Sequence, residues 1–368
     1  MELQTTERYA RLVEDAWRAA LPTDSEIRSA RRRLHGKALL IGLIVAGSYF
    51  VLVLSDATAV LRIAAAAVLT FGLVATGTGV MHDANHGSVS RHRWLNRSLA
   101  YTSDALGASP WLWRIQHNQL HHGNTNVVGF DADLELAPWA RLAPGQPWHP
   151  RYRWQHLYIW PLYGFLTIKN LLVSDFLSLR TGRIGEQSIQ RRVTARVLAQ
   201  VTLGKLAHVT WAVVVPLLFN PWQTVLAFYA ICSWVVGFVL AVIFQLAHCV
   251  ESAELCEPDT PRRGENHAAH QLRTTADIAP TPGVGPVFHW LAGGLDYQIE
   301  HHLAPGLPHT IYPQVARRFR AGCARAGVVY HLHRGLGAAL ASHWRQLRVM
   351  GRPVGPSAVS KSIAGSHG

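Results

Sequence analysis

The sequence predicts an all-α integral membrane protein, with four transmembrane helices arranged as two hairpins and a cytosolic helical cap. Three observations lead to this fold class: four long apolar runs, a tight turn inside each of two pairs of runs, and basic residues that flank the runs. Of the 368 residues, 49% are hydrophobic and only 15% are charged, against about 25% charged in ordinary globular chains. This composition argues against a disordered chain and against a heavily solvated two-domain enzyme.

The four apolar runs have the length of membrane-spanning helices. They cover residues 38–54, 59–81, 201–219 and 223–246, and only a short turn separates the members of each pair. A helix of about 20 apolar residues crosses a hydrocarbon core of ~30 Å, and a helical hairpin satisfies its backbone hydrogen bonds inside lipid. Four buried helices of a large soluble bundle are the alternative, which the length and low charge of the runs disfavour.

Basic residues predict the orientation of the spans. They are concentrated before the first run, in the segment 82–200 and after the fourth run, whereas the two short turns contain no Lys or Arg. By the positive-inside rule, both termini and the middle segment are cytoplasmic. The chain has 35 Lys and Arg against 22 Asp and Glu, and we interpret this excess as attraction to anionic lipid headgroups rather than nucleic-acid binding.

The other segments complete the predicted organisation. Residues 1–37 are expected to form a cytosolic N-terminal segment, residues 38–352 the membrane domain, and the Gly/Ser/Pro-rich residues 353–368 a disordered tail. Two further apolar stretches, 157–176 and 99–113, are expected to lie in the membrane interface. A fifth span at 157–176 would place the histidine clusters described next on opposite faces of the membrane.

Histidines are frequent, and eight of the 21 are clustered beside the ends of apolar runs or in cytoplasmic segments. These eight are His82 and His86; His117, His121 and His122; His301 and His302, one turn after Gln298; and the single His248. Residues four apart share one face of a helix, which is how two histidines on a helix reach one metal ion. The clusters are therefore candidate metal ligands.

The four-span topology lets these eight side chains converge on the cytoplasmic face. Eight imidazoles exceed the three or four protein ligands of a zinc site, so we expect two metal ions. Imidazole suits Fe, Zn and Cu. The absence of HExxH from the sequence argues against a zinc protease, and the absence of ExxH argues against the soluble carboxylate-bridged di-iron bundle.

A metal transporter or metal sensor is an alternative class for a histidine-rich membrane protein. It predicts ionisable side chains inside the spans, and the four runs contain only Arg62, Lys205 and His208. Acids and histidines instead collect at one end of the spans, which favours a site over a channel. The other thirteen histidines stay unassigned, with His270 kept as a candidate for the surroundings of the metals.

The three clusters also carry a resemblance to a known family. The segments HDANH, QHNQLHHGNTN and GGLDYQIEHHLAPGLPH resemble the three histidine boxes of the membrane fatty-acid desaturases, in the front-end or acyl-lipid branch with a QxxHH third box. The resemblance extends over residues 40–330. It implies a four-helix membrane stem under a cytosolic cap with two irons, held by the eight clustered histidines. Gln298 occupies the position of a further ligand.

The resemblance further implies an O2-dependent desaturase that forms a C=C bond in a fatty acyl chain carried on a lipid, on CoA or on a carrier protein. Many relatives contain a cytochrome b5 domain with HPGG, but His149-Pro150 is followed here by Arg151-Tyr152. Electrons are therefore expected from a separate ferredoxin or cytochrome b5-type donor. A membrane di-iron hydroxylase or ketolase is the alternative within the oxidoreductases.

Residues near the second box are candidates for supporting roles. Asn124 is expected to orient a ligand imidazole through its second nitrogen, and Asp131 and Asp133 either do the same or cap the next element. Trp111 and Trp113 either shape an apolar tunnel for the acyl chain or anchor the interface. The Arg- and Ala-rich composition indicates a GC-rich bacterial genome and hence an inner-membrane location.

Overall fold

A computed structural model describes residues 2–257, 265–281, 283 and 285–353, with side chains from Thr6 onward. Apart from Pro353, the predicted tail 353–368 lies outside the described residues. The first half of the chain contains α1 (Glu2–Ala20), α2 (Asp24–Tyr49), α3 (Ala59–Ala75), α4 (His82–His86), α5 (Arg93–Ala100), α6 (Thr102–Ala105), α7 (Pro110–Trp113), α8 (Gln155–Tyr163), α9 (Leu166–Lys169), α10 (Asp175–Thr181), β1 (Arg183–Ile184) and β2 (Gln187–Ser188).

The second half contains α11 (Ala195–Val209), α12 (Val215–Leu217), α13 (Trp222–His248), α14 (His267–Thr274), β3 (Asp277–Ile278), α15 (Gly285–Ala292), α16 (Gln298–Leu303), α17 (Tyr312–Ala326), β4 (Leu332–His333) and α18 (Leu336–Met350). Segments of π-helix occupy Phe50–Leu54, Thr76–Met81, Arg114–His121, Asn170–Ser174 and Thr210–Val214, and 3₁₀ turns occupy Ala132–Leu134, Pro150–Trp154 and His309–Ile311. The protein is thus mainly helical, as the sequence predicts.

Four helical stretches are long and apolar enough to cross a membrane: Asp24–Leu54, Ala59–His86, Ala195–Leu217 and Trp222–His248. Each contains one predicted apolar run but differs from it at the ends. The first begins much earlier because Thr23 forms a capping box with Glu26, which satisfies free backbone N–H groups at a helix start. The second continues to His86 and stops where Gly87 takes a left-handed conformation, with φ of 76°.

The outer faces of these four stretches expose large apolar side chains. Leu39, Leu43, Leu203 and Ile231 are each more than 60% exposed. Contiguous exposure of this kind is rare on soluble monomers and marks contact with lipid or another partner. It agrees with the membrane-helix prediction and disfavours the soluble bundle.

The ambiguous segment after residue 150 is not one straight helix. The stretches Pro150–Tyr163 and Leu166–Thr181 meet at a bend of 77°. Leu157, Leu172 and Phe176 along it are exposed. A bent apolar element of this form is consistent with the predicted interfacial position, which stays a prediction.

A second packed region holds the histidine end of the molecule. Helices α1, α14, α16 and α17 share a core that includes Val13, Leu272, Ile299 and Phe319. Trp17 of α1 meets Phe319 edge to face, with 5.3 Å between the ring centroids. Strand β3 pairs in parallel with β4, and β1 pairs antiparallel with β2. The third histidine box on α16 is therefore held by helices from both ends of the chain.

Candidate metal centre

Four separate parts of the chain bring the clustered histidines together. The first box lies on α4 at the end of the second apolar stretch, the second on the π-helix Arg114–His121, and the third on α16, while His248 ends α13. Seven of the rings are buried, with exposures of 7% or less: His82, His117, His121, His122, His248, His301 and His302. His86 is partly buried. The predicted convergence of the eight side chains is present in the structure.

The rings form neighbouring groups of the size that a metal ion needs. One group comprises His82, His86, His117 and His301, with one nitrogen from each within 4.8 Å of the others. A second comprises His121, His248 and His302 on the same criterion, and His122 lies between them because it also groups with His301 and His302. The arrangement fits two adjacent cations rather than one.

Several nitrogens of these rings lack a hydrogen-bond partner, which bears on whether a metal ion fits between them. His86 Nε2, His301 Nε2 and His302 Nε2 are buried without a hydrogen-bond partner. Three other Nε2 atoms face each other closely: His117 lies 3.3 Å from His82 and 3.2 Å from His122. Leaving a buried polar atom unpaired costs about 1–3 kcal/mol. A cation between such nitrogens satisfies all of them, so the residues fit a metal.

Burial keeps most of these imidazoles in the neutral form that binds metal. Outside the membrane-spanning stretches, burial lowers the pKa of His117, His122, His301 and His302 well below the ordinary value, and neighbouring histidines lower it further. Metal ligation requires the unprotonated ring. These four side chains are therefore ready to bind a cation at neutral pH.

The second box departs from the α-helical geometry that the spacing suggested. Arg114–His121 is π-helical, and the His122 N–H donates to the carbonyl of His117 five residues earlier, at 3.0 Å. The wider turn of a π-helix brings residues four and five apart to one side. His117, His121 and His122 consequently all face the cluster, whereas an α-helix would point His122 at an angle.

Hydrogen bonds to the outer ring nitrogens fix which nitrogen faces inward. His121 Nδ1 lies 3.0 Å from a carboxylate oxygen of Asp131, which can only accept. Thr125 donates its hydroxyl to the His121 carbonyl at 3.0 Å, so its oxygen accepts from His302 Nδ1 at 3.1 Å. Both rings therefore carry the proton on Nδ1 and present Nε2 to the metal position.

His301 is oriented in the same way by Tyr312. The Tyr312 hydroxyl points to the carbonyl of Leu307 at 3.2 Å and accepts from His301 Nδ1 at 3.4 Å. Gln298 is fully buried, and its Nε2 lies 2.9 Å from His248 Nε2 while its Oε1 has no partner. The side chain that replaces a first histidine in the third box thus sits beside the second group of ligands.

The carboxylate of Asp131 is a buried partner of His121 with several hydrogen bonds of its own. It is 1% exposed and accepts the backbone N–H groups of Asn126 and Asp133 at 2.9 and 3.0 Å. Although burial lowers the pKa of His121, the charges of Asp131 and Asp133 outweigh it and raise that pKa to about 9. Asp133 lies 3.5 Å from His121 Nδ1. Asp131 therefore both orients a ligand and caps the next element.

The other supporting residues fall into different places. The Trp113 ring lies against the His117 ring, with 4.3 Å between ring centroids and a tilt of 31°, whereas Trp111 packs in a separate apolar cluster with Leu112, Ile115 and Ile184. His270 does not contact a ligand ring but lies 3.0 Å from the carbonyl of Thr125. Trp113 therefore touches the centre, and His270 supports the loop that carries Thr125.

The expected role of Asn124 stays a prediction. Its amide nitrogen donates to the Leu120 carbonyl at 3.1 Å, a contact at the end of the preceding helix. The neighbours of Asn124 in the same NTN sequence, Thr125 and Asn126, contact the surroundings of the histidine cluster. Asn126 has φ of 58° and directs its amide nitrogen at the carbonyls of His248 and Thr274, at 3.0 and 3.1 Å. It ties the second box to the fourth apolar stretch.

Sequence reasoning also missed Thr125, Asn126 and Tyr312. The polar NTN sequence at the end of the second box, one glycine after His122, was the available signal for the first two. Tyr312 lies eleven residues after His301, and nothing in the local pattern separates it from an ordinary core tyrosine.

An apolar cavity lies among the four membrane stretches. It encloses about 870 Å³ including its open part, and its lining includes Leu69, Leu73, Leu106, Trp211 and Phe228. Neither Trp111 nor Trp113 is among the residues that line it. One core cluster joins Leu69, Leu73 and Leu106 of this lining to Met81, with Trp113 packed against it. An apolar layer therefore separates the cavity from the histidine cluster.

Comparisons with known proteins agree with this arrangement. The family model described as fatty acid desaturase matches residues 57–334. The chain is 34% identical over 294 residues to the sn-1 linoleoyl-lipid 6-desaturase of Synechocystis sp., covering 79% of this chain and 81% of that protein. It is 32% identical over 285 residues to the protein of the same name from Arthrospira platensis, covering 77% and 76%.

A plant relative is more distant but matches over a longer segment. The acyl-lipid (8-3)-desaturase of Physcomitrium patens is 30% identical over 329 residues, which cover 87% of this chain and 67% of that protein. The family match spans most of the chain and includes all three histidine boxes and His248. The chain therefore belongs to the fatty acid desaturase family.

Proposed function

We propose that this membrane enzyme is an O2-dependent acyl-lipid desaturase with two iron ions at the histidine cluster. Membership of the family makes it a fatty acyl desaturase. One observation carries the metal proposal: eight histidines from four parts of the chain meet in adjacent groups with unpartnered nitrogens directed at one another. Imidazole suits iron, and the family resemblance favours iron over zinc and copper.

The ligand groups suggest which residues hold each ion. His82, His86, His117 and His301 would hold one iron, and His121, His248 and His302 the other, with Gln298 beside the second. His122 lies where it can serve either. The iron pair, when bound, would activate O2 for oxidation of an unactivated C–H bond. Over the whole reaction, –CH2–CH2– loses two hydrogens, O2 takes four electrons, and two water molecules leave.

The chain itself supplies position and exclusion of water. Asp131, Thr125 and Tyr312 accept hydrogen bonds from Nδ1 of three imidazoles, so Nε2 of each ring is directed at the proposed metal position. The apolar cavity behind Leu106 is suited to the methyl end of an acyl chain, because most of its lining surface is apolar. Trp113 stands between that cavity and His117 and would contact the chain near the reacting carbons.

The electron balance requires a reductant that the site does not contain. Two of the four electrons come from the substrate with its two hydrogens. A separate ferredoxin or cytochrome b5-type protein would deliver the other two electrons, and the solvent the two further protons that complete two water molecules. Substrate identity is proposed from the relatives, two of which are named linoleoyl-lipid 6-desaturases. We accordingly propose a linoleoyl chain on a membrane lipid, rather than on CoA or a carrier protein, with the new double bond at position 6.

The topology follows from the helices and the charges. We propose that the four apolar stretches form two hairpins within residues 38–352, with segment 1–37, the tail 353–368 and the metal centre on the cytoplasmic side. The first and second boxes and His248 sit at or after the ends of the second and fourth stretches, which are on the same face if all four cross. A bacterial inner membrane is the proposed location.

Expression in a bacterial host without polyunsaturated lipids tests the reaction. Cells supplied with linoleate should accumulate a lipid-bound acyl chain lighter by two hydrogens, with its new double bond at position 6 by mass spectrometry. His121→Ala should abolish this product. A product heavier by one oxygen would support the hydroxylase or ketolase alternative. Protein that folds but contains no iron would overturn the di-iron assignment.

A further inference from the structure

A largely buried chain of polar side chains runs from Lys37, just before the apolar run 38–54, to His82, the first candidate metal ligand in the sequence. Its members are Lys37 on α2, His309 in the turn before α17, Asp83 inside the first histidine box, and His82. His309 and Asp83 are 4% and 3% exposed. Charged and polar groups this deeply buried are retained only when they are paired, so the chain of contacts requires a physical account.

The distances define the chain. Lys37 Nζ lies 3.0 Å from His309 Nε2. On the other side of that ring, His309 Nδ1 and the His309 backbone N–H lie 3.0 and 3.2 Å from the Oδ2 atom of Asp83. The Oδ1 atom of Asp83 lies 3.8 Å from His82 Nδ1. His82 Nε2 in turn faces His117 Nε2 within the metal cluster.

With Lys37 as an ammonium and Asp83 as a carboxylate, donor and acceptor chemistry gives one arrangement of protons along this chain. An ammonium group only donates and an ionised carboxylate only accepts. His309 must therefore accept from Lys37 at Nε2 and donate from Nδ1 to Asp83, which makes it a neutral ring. Burial lowers the pKa of His309, which agrees with the neutral form. The positive charge of Lys37 then balances the buried Asp83 carboxylate across one imidazole.

Lys37 itself is held in place on its other sides. Its ammonium donates to the Trp290 carbonyl at 2.6 Å and lies 4.8 Å from the centre of the Trp290 ring. That ring stacks on Phe71 of α3 at 5.4 Å. The lysine that precedes the first apolar run therefore bridges α2, α15 and the turn that carries His309.

We propose that Lys37 and His309 are positioning residues that act through Asp83 to hold His82 as a metal ligand. The inference rests on the proposed function, in that His82 must bind a metal ion. With Asp83 fixed by His309, its Oδ1 atom lies on the Nδ1 side of the His82 ring, at 3.8 Å and without a hydrogen bond. The negative charge at this place favours the form of the ring that carries a proton on Nδ1 and leaves Nε2 for the cluster, and a carboxylate behind a ligand imidazole raises the basicity of the ligand.

The proposal predicts faster loss of one of two irons when the chain is broken. Lys37→Met removes the charge that balances Asp83, and His309→Leu removes both contacts of the ring. His309→Gln keeps one donor and one acceptor. Loss of a direct outer partner of a ligand costs about 10–100-fold in metal affinity. Lys37 and His309 act through Asp83, so a ferrous chelator should extract one iron about tenfold faster from Lys37→Met and His309→Leu, the lower end of that range. His309→Gln should recover part of the loss.

His208 offers a matched control. It is a buried histidine with two contacts, to the Ala105 carbonyl and the Tyr229 hydroxyl, both at 3.0 Å, and it lies in the third apolar stretch away from the cluster. His208→Leu should lower the melting temperature in detergent without faster iron release. Equal iron release from His208→Leu and His309→Leu would overturn the proposal in favour of general destabilisation, as would unchanged release from Lys37→Met.

Iron retention by the wild-type protein distinguishes a failure of this inference from a failure of the proposed function. If purified wild-type protein retains about two irons and the Lys37 and His309 variants retain them equally firmly, only the positioning role fails. If wild-type protein retains no iron while it remains folded, the metal assignment fails and the positioning role fails with it.

Discussion

Asp131→Asn is the substitution that tests the metal centre most directly. The carboxylate is 1% exposed and has both oxygens within 3.1 Å of His121 Nδ1. It also accepts two backbone N–H groups, from Asn126 and Asp133. Asparagine fills the same volume but has one acceptor oxygen and no charge, so three donors compete for one acceptor atom.

The expected losses of metal affinity and folding stability in Asp131→Asn follow from these contacts. Loss of a carboxylate behind a ligand imidazole weakens metal binding about 10–100-fold, or about 1.4–2.8 kcal/mol. At least one buried N–H group also loses its acceptor, which costs about 1–3 kcal/mol of folding stability. The variant should therefore bind metal more weakly and melt at a lower temperature than the wild type.

The difference in metal affinity between the wild type and Asp131→Asn should depend on pH in a definite direction. Because the pKa of His121 is about 9 in the metal-free protein, metal must displace a proton from that ring at neutral pH. Asp131 stabilises the protonated ring as well as the metal-bound ring, so at neutral pH part of its benefit to metal binding cancels. Near pH 9 the ring is already half deprotonated. The gap in affinity between wild type and Asp131→Asn should therefore widen as pH rises from neutral toward 9.

Anaerobic titration of metal-free protein with Co2+, followed by its visible absorption bands, measures this gap. Asp133→Asn is the matched control, because the same chemical change occurs two residues along at a side chain that is 34% exposed and 3.5 Å from His121. It should weaken binding less than Asp131→Asn at every pH. Equal effects of the two substitutions, or a gap that narrows toward pH 9, would refute the reasoning.

Three further predictions address other contacts. Gln298→Leu should release iron about tenfold faster to a ferrous chelator, and Gln298→His should not, since it restores a nitrogen ligand beside His248. Trp113→Ala should lower stability by about 3 kcal/mol and lower iron content, whereas Trp113→Phe should retain iron. Burial lowers the pKa of His343 to about 4. The free energy of unfolding should therefore fall by about 3 kcal/mol as pH falls from 6.5 to 4, because the ring takes up its proton in the unfolded chain at a higher pH than in the folded protein. Melting curves of His343→Gln should lack that dependence.

The apolar helices and the meeting of the histidines were predictable because both depend on local patterns in the sequence. A run of some twenty apolar residues is a sufficient signal for a membrane helix, and histidines at spacings of four or five beside helix ends reach a common point once the topology is set. The helix ends were less predictable. The helix around residue 38 begins at Asp24 because Thr23 and Glu26 form a capping box, which the apolar run itself does not contain.

The outer contacts were harder to predict because they join distant parts of the chain. Asp131 lies ten residues from His121 and could be proposed from proximity, but Tyr312 and Thr125 act on α16 through tertiary packing alone. The contact that Asn124 makes has a local cause. An asparagine at a helix end competes for the free carbonyls there, and its amide binds Leu120 before it can reach a ring.

The outer contacts also show how the two groups of ligands are matched. In the first group, His82 has a carboxylate behind it, Asp83 at 3.8 Å, and His301 has the Tyr312 hydroxyl. In the second, His121 has Asp131 and His302 has the Thr125 hydroxyl. Each group thus combines one imidazole supported by a carboxylate with one supported by a neutral hydroxyl.

This symmetry bears on charge in a buried site. Neutral imidazoles contribute no negative charge, so the cations would be desolvated without compensation if the ligands stood alone. One buried carboxylate behind each group supplies that compensation while leaving every inward-facing nitrogen free to bind. Because these carboxylates lie behind imidazoles, at 3.0 Å from His121 and 3.8 Å from His82, they would add negative charge near bound cations without occupying the space between the inward-facing nitrogens.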